Sequence, residues 1–212
     1  MFIGHFAVAM GAKKIAPKVN LGVLLIACQL LDLIWPVLVL LGIERVSVDY
    51  LATAVTPLNF EYYPFSHSLL MSLILSVILG LSCGFIYKSK KIAFILAGTT
   101  LSHWFLDFLT HRPDLPLYFN SAKYGLGLWN YKTLSIAIEV CFFIIGIYLY
   151  LSTKKLTKKK QMSFWSLILL LLLIYYANVL GPKPPLDTPS EMIAGPALAM
   201  WLIVLWGYWI DK

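Results

Sequence analysis

Charge is scarce in this chain: Asp, Glu, Lys and Arg make up 13% of the 212 residues, while 60% are hydrophobic. With a mean hydropathy of +0.80, that balance excludes an ordinary soluble domain and fits a polytopic membrane protein. Acids are scarcer than bases, 10 against 17, for a net charge of +7. The lysines stand in short runs between apolar segments, as topology determinants do, so no nucleic-acid partner is expected. Cysteine is scarce too. Cys28, Cys83 and Cys141 each lie inside an apolar run without paired spacing, which excludes a disulfide framework or a cysteine-built zinc site. HExxH and GxSxG are absent, which argues against a zincin protease and a nucleophile-elbow hydrolase. There is no internal repeat. The apolar stretch before Lys13 and Lys14 lacks a basic start and a small-residue cleavage pattern, so no cleavable signal peptide is expected.

What the chain has in abundance is apolar runs of membrane length. Residues 2–12 are apolar but too short to cross, and predict a half-helix based at Lys13, Lys14 and Lys18, with His5 inside the membrane. A first span is expected from Val19 to Ile43, carrying Asp32 and then Trp35-Pro36, where proline should kink it. Residues 44–66 form a loop ending in YYPFSHS, with Ser66 as the expected N-cap of a second span that His67 opens and Tyr87 closes. Further spans are expected at Ile92–His111, Leu134–Leu151, Phe164–Leu180 and Ile193–Ile210. The segment from Arg112 to Lys132, rich in Pro, Gly, Asn and Tyr, reads as an ordered loop, and the glycines of GLGLWN read as turn residues. The expected fold is therefore all-α: a bundle of six transmembrane helices plus a short N-terminal half-helix, forming one integral membrane domain over residues 1–212. If the lysine runs stay in the cytoplasm, six spans alternate without conflict and both termini are cytoplasmic.

The stretch SHWFLDFLTHRPD, from Ser102 to Asp114, stands out. His103, Asp107 and His111 are spaced i, i+4 and i+8, so on a helix they drift by only about 80° and face one way. Ionisable groups in a hydrocarbon-length helix are costly, and by default they mark a functional site with partners on other helices. Counted from the lysine ends, Asp32, His103 and Glu139 come out at about 18 to 21 Å and Asp107 at about 24 Å. His5 reaches about 15 Å, and His67 and His111 stand at about 30 Å. Three acids and four histidines thus converge on one half of a small bundle. That donor set suits zinc, manganese or a similar divalent transition metal, whereas an all-carboxylate cage suits calcium or magnesium. A triad built on Ser66 or Ser68 beside His67 is disfavoured, because adjacent residues on one helix point apart.

The ordered set FIGHFAVAMGAK, Gln29-Leu30-Leu31-Asp32, YPFSHSLL, SHWFLDFLTHRPDLPLY and GLGLWN resembles a family of bacterial inner-membrane proteins described as metal-dependent hydrolases, over nearly the whole chain. The resemblance implies His5, Asp32, His67, His103 and Asp107 as ligands, with Ser68, His111, Arg112, Asp114, Asn130 and Glu139 lining the site. The order His, Asp, His, HxxxD is also similar to that of helical zinc-dependent phospholipase C enzymes.

The expectation that follows is a hydrolase of the bacterial inner membrane, acting on a membrane lipid or another amphipathic phosphate ester. Glu139 or His111 would serve as general base or acid, and Arg112, or Arg45 or Lys123, would offset substrate charge. Two alternatives stay open. Asp32, His103, Asp107 and Glu139 could instead relay protons or coordinate a moving ion in an ion- or proton-coupled transporter or binding protein, although six spans without a repeat are few for one. A membrane scaffold with a buried polar network fits equally well if no metal binds.

Overall fold

The structure is a computed structural model that describes all residues from Met1 to Lys212. Its first helix, α1 (Ile3–Ala12), is the half-helix, and it lies inside the bundle with only Val8 and Gly11 not fully buried. The six helices long and apolar enough to cross a membrane follow: α2 (Leu21–Leu40), then α4 (Leu69–Ile86) after a one-turn helix α3 (Pro64–His67), then α5 (Lys90–Thr110), α6 (Lys132–Thr153) and α7 (Lys158–Leu180). The last span, Ser190–Asp211, is composite. It comprises α8 (Ser190–Ala194), a 3-10 turn over Gly195–Ala199 that contains Pro196, and α9 (Met200–Asp211). All-α architecture is what the apolar runs predict.

Small residues let these helices approach. Lipid tails are as apolar as leucine, so helices in a bilayer associate through close packing and not through a hydrophobic drive. A Cβ on Gly146 of α6 would stand 2.6 Å from the Ala7 carbonyl oxygen of α1, and one on Gly80 of α4 would stand 2.7 Å from the Ala93 carbonyl oxygen of α5. Polar caps set the starts of four helices. Asn20, Ser68, Ser89 and Thr157 each accept a backbone N–H from the first turn of the helix that follows.

The lysine runs collect at one end of the bundle, where Lys13 and Lys154 approach Asp211 at 2.5 and 2.7 Å. Asp211 Oδ2 also accepts the Leu21 N–H, tying α2 to the last helix. The opposite end carries the connecting loops, and these are not wholly irregular. Strands β1 (Arg45–Val48) and β2 (Leu58–Tyr62) pair antiparallel, as do the two-residue strands β3 (Leu115–Pro116) and β4 (Lys123–Tyr124).

Four boundary expectations need correction. The second span is capped by Ser68 and not by Ser66, because Ser68 is extended (φ −71°, ψ 151°) and separates α4 from α3; His67 therefore sits on the preceding turn. The third span starts at Lys90, and His111 lies just past its end in extended conformation. The fifth starts at Lys158, so its lysines occupy the first helical turn. Met1 is buried against Asp107, so of the two chain ends only Lys212 lies at the lysine end.

Candidate metal centre

Asp107, buried on the last turns of α5, is the hub. Its Oδ1 stands 3.0 Å from His5 Nε2 and 3.9 Å from His111 Nε2, and its Oδ2 stands 3.1 Å from His103 Nε2 and 3.9 Å from His67 Nε2. Asp32 of α2 joins from the side: its Oδ1 is 3.2 Å from His67 Nε2 and 3.7 Å from His103 Nε2. The His5 and His103 rings stack with centroids 3.7 Å apart. Two overlapping triads result, His5, His103 and Asp107, and Asp32, His67 and His103, each with ligand atoms within 4.8 Å of one another. The five residues expected as metal ligands are therefore gathered in one place. The Met1 amino nitrogen also donates to Asp107 Oδ1, at 2.5 Å, and to Thr110 Oγ1, at 3.2 Å.

In His103, His67 and His111 the partner of the second nitrogen fixes the tautomer, whereas His5 Nδ1 is buried without a partner. His103 Nδ1 lies 2.7 Å from the Cys28 carbonyl oxygen, a pure acceptor, so that nitrogen carries the proton. His67 Nδ1 lies 2.7 Å from Ser66 Oγ. The Ser66 hydroxyl donates its one proton to Glu44 Oε2 at 2.6 Å, so Ser66 Oγ accepts from His67 Nδ1. Glu44 Oε1 takes the Phe65 and Ser66 N–H groups, both at 2.8 Å. Burial pushes the Glu44 carboxyl above its ordinary range, while the hydrogen bonds from Ser66 pull the other way. His111 Nδ1 stands 3.0 Å from Asp114 Oδ1, which also accepts the Tyr63 hydroxyl at 2.8 Å. Burial, and then the charge of Asp114, push the Tyr63 hydroxyl well above its usual range, so it remains a donor.

In all three rings Nε2 is then a bare lone pair aimed at carboxylate oxygens. Lone pair against anion is repulsive unless a cation stands between them, and His103 Nε2 has no hydrogen-bond partner. Histidine held through its other nitrogen by a carbonyl or carboxylate is the usual outer arrangement of a metal site. The spacing also fits. Ligands about 2.0–2.2 Å from a tetrahedral zinc lie about 3.3–3.6 Å apart, against 3.0–3.9 Å here. These residues fit a divalent transition metal.

A cavity of about 500 Å³ opens onto the cluster, with Asp32, His67, Asp107, His111 and Glu139 on its wall. Glu139 Oε2 accepts the Phe2 and Gly4 N–H groups at 2.9 and 3.4 Å, capping the start of α1. The GLGL loop straps the end of α5, with Leu126 N–H on the Phe108 carbonyl and Gly127 N–H on the His111 carbonyl, at 2.8 and 2.7 Å. Gly127 is left-handed (φ 72°), as a turn glycine can be at no steric cost. The strap seats Trp129 against the His111 ring.

Other expected site residues fall elsewhere. Ser68 is a buried helix cap, Asn130 is exposed beyond the strap, and neither lines the cavity. Asp114 stands behind His111 and not on the wall. Arg112 is also off the wall, bound to Asn59 Oδ1 at 2.5 Å and 3.6 Å from Asp114, because the extended His111 turns it toward the β1–β2 hairpin. Lys123 is engaged with the Glu61 carbonyl, and Arg45 stacks over Tyr62. The lysines on the wall are Lys132 and Lys183. Sequence reasoning missed these two, and it missed Glu44, Tyr63 and Tyr175. Glu44 alone carried a signal, as an acid directly after a span. No family model, no curated protein and no solved structure matches the chain, so the reading of this centre rests on its own residues.

Proposed function

We propose that this multi-span membrane protein is a metal-dependent hydrolase acting on an amphipathic phosphate ester, in line with the bacterial inner-membrane hydrolases that its motifs resemble. The observation that carries the reading is the set of Nε2 lone pairs on His67, His103 and His111, all turned toward Asp107, with His67, His111 and Asp107 itself on the cavity wall. His5, Asp32, His67, His103 and Asp107 hold the metal, zinc or manganese by donor type. A divalent metal held by these residues would supply an activated water at neutral pH and polarisation of a phosphoryl oxygen. Glu139 takes the proton of the attacking water: it lies on the cavity wall, where the Phe2 and Gly4 amides hold it through Oε2. Glu139 then passes that proton to the leaving oxygen, while His111, held through Nδ1 by Asp114, turns its Nε2 lone pair to the site. Lys132 supplies the positive charge first sought in Arg112.

Metal analysis of gently extracted protein, followed by assay of the metal-loaded form on a panel of phosphate mono- and diesters, tests this reading. Wild type is expected to hold a transition metal and to cleave a panel member, and Asp107→Ala to lose the metal. Glu139→Gln keeps shape, so the metal should stay while turnover falls by about 10² or more. A wild-type protein that binds no zinc or manganese, or a Glu139→Gln protein with full turnover, overturns the assignment.

A further inference from the structure

One side of the cavity is not explained by metal chemistry. Helices α6 and α7 are consecutive, yet α6 packs on α1 and α7 on α9, and the two make no extended contact with each other. The cavity runs into the gap between them, with Lys132 and Glu139 on the α6 side and Tyr175, Ala177, Asn178 and Leu180 on the α7 side. Tyr175 is only 6% exposed, and its hydroxyl has no hydrogen-bond partner. A buried hydroxyl is costly to leave without a partner, so something that fills its bonding capacity is favoured here. Lys132 is half-buried on the same wall and pairs with no acid. Asn178 follows Tyr175 by three residues, which puts it on the same helical face with a further donor. Outside the gap both helices are apolar and bare, with Leu134, Ile144, Leu169 and Leu173 all more than half exposed.

Building on the hydrolase reading, we infer that the α6–α7 gap is a lateral portal and headgroup subsite for a bilayer lipid carrying an anionic phosphate. Lys132, the Tyr175 hydroxyl and Asn178 bind the headgroup oxygens, while the acyl chains remain between the exposed faces of α6 and α7. The physics favours a lipid over a soluble ester. A soluble ester needs no opening toward hydrocarbon, whereas a lipid entering sideways keeps its chains solvated by the bilayer throughout. Only the headgroup leaves the interface, and it meets a cation, the exposed Asn178 amide and the Tyr175 hydroxyl that the fold leaves unsatisfied.

The test separates binding from turnover. Full-length protein stripped of metal with a chelator is placed in phosphatidylcholine nanodiscs containing a diacyl phosphatidic acid probe with a diazirine on one chain, and the cross-links are mapped. Labelling is expected on the facing sides of α6 and α7. Lys132→Gln and Tyr175→Phe should each lower it about tenfold, which corresponds to about 1.4 kcal/mol. Lys123→Gln, a cation of the same loop end outside the cavity, should leave it unchanged. Inorganic phosphate in excess should not displace the probe. Labelling spread evenly over all lipid-facing helices, full labelling in Lys132→Gln with its fold intact by circular dichroism, or complete displacement by inorganic phosphate each overturns the portal. Portal labelling in a protein that cleaves no ester leaves the subsite standing and removes the hydrolase. Cleavage with scattered labelling does the reverse.

Discussion

Glu44 touches no candidate ligand, yet it decides which nitrogen of His67 faces the acids. Its carboxylate takes the Ser66 hydroxyl proton, so Ser66 Oγ must accept from His67 Nδ1, and Nε2 is left bare toward Asp32 and Asp107. In Glu44→Gln the amide oxygen keeps the two backbone N–H bonds, but the amide nitrogen donates to Ser66, which then turns its own proton to His67 Nδ1. The ring is left with its proton on Nε2, facing the site. The expected outcome is a metal affinity lower by about 10–100-fold with little change in the melting temperature of the metal-free protein. Titration calorimetry with zinc, paired with thermal unfolding under chelator, measures both. Unchanged affinity would remove Glu44 from the centre. This chain of contacts was not legible in the sequence, where Glu44 and Ser66 are far apart and Ser66 reads as a cap for the next helix.

At the scale of elements, α1 acts as a plug that carries His5 to the hub. Alternating small residues do not anchor it by themselves. Gly146 of α6 lets the Ala7 backbone come so close that an added Cβ would stand 2.6 Å from the Ala7 carbonyl oxygen and 2.7 Å from its Cα. Backbone cannot yield as a flexible side chain does, so Gly146→Val must push α1 aside. A loss of about 1–3 kcal/mol is expected, with metal content falling along with it as His5 withdraws. Gly98→Ala, where an added Cβ meets nothing within 4 Å, serves as the neutral control. Thermal unfolding and elemental analysis of the two variants decide the matter, and a Gly146→Val protein as stable and as metal-rich as wild type would contradict the plug. The half-helix was legible because residues 2–12 are apolar yet short. That α6 would be its partner was not, since a single glycine in an apolar run says nothing about which neighbour needs the space.

The whole molecule has two ends of opposite character. At one, Lys13 and Asp211 are both buried and paired at 2.5 Å, and Lys154 joins them at the edge. At the other, two β-ribbons and the strap over α5 cover the centre. Positively charged loops resist translocation, so the lysine end is expected in the cytoplasm and the centre on the outer half of the membrane. A reporter fused after Lys212 should be active inside, and one inserted near Ser121 should be active outside. The opposite pair of signals would reverse the orientation and place the centre on the cytoplasmic side.

The sequence alone determined the number and approximate placement of the spans, and its motifs pointed to the five clustered residues. Hydrocarbon thickness sets helix length directly, and ionisable groups are too costly in lipid to stand there without partners. It also ranked Asp32, His103 and Asp107 at similar depth, because a helix rises by a fixed amount per residue. Only the tertiary structure decided how His67 and His111 join them. Both were expected some way above the hub, but the break at Ser68 and the extended backbone at His111 place both rings 3.9 Å from the Asp107 oxygens. Arg112 left the site and Lys132 and Tyr175 entered it for a related reason. Rise along a helix is a local property readable from spacing, whereas the side chains that face a shared cavity depend on how separate helices and loops turn against one another.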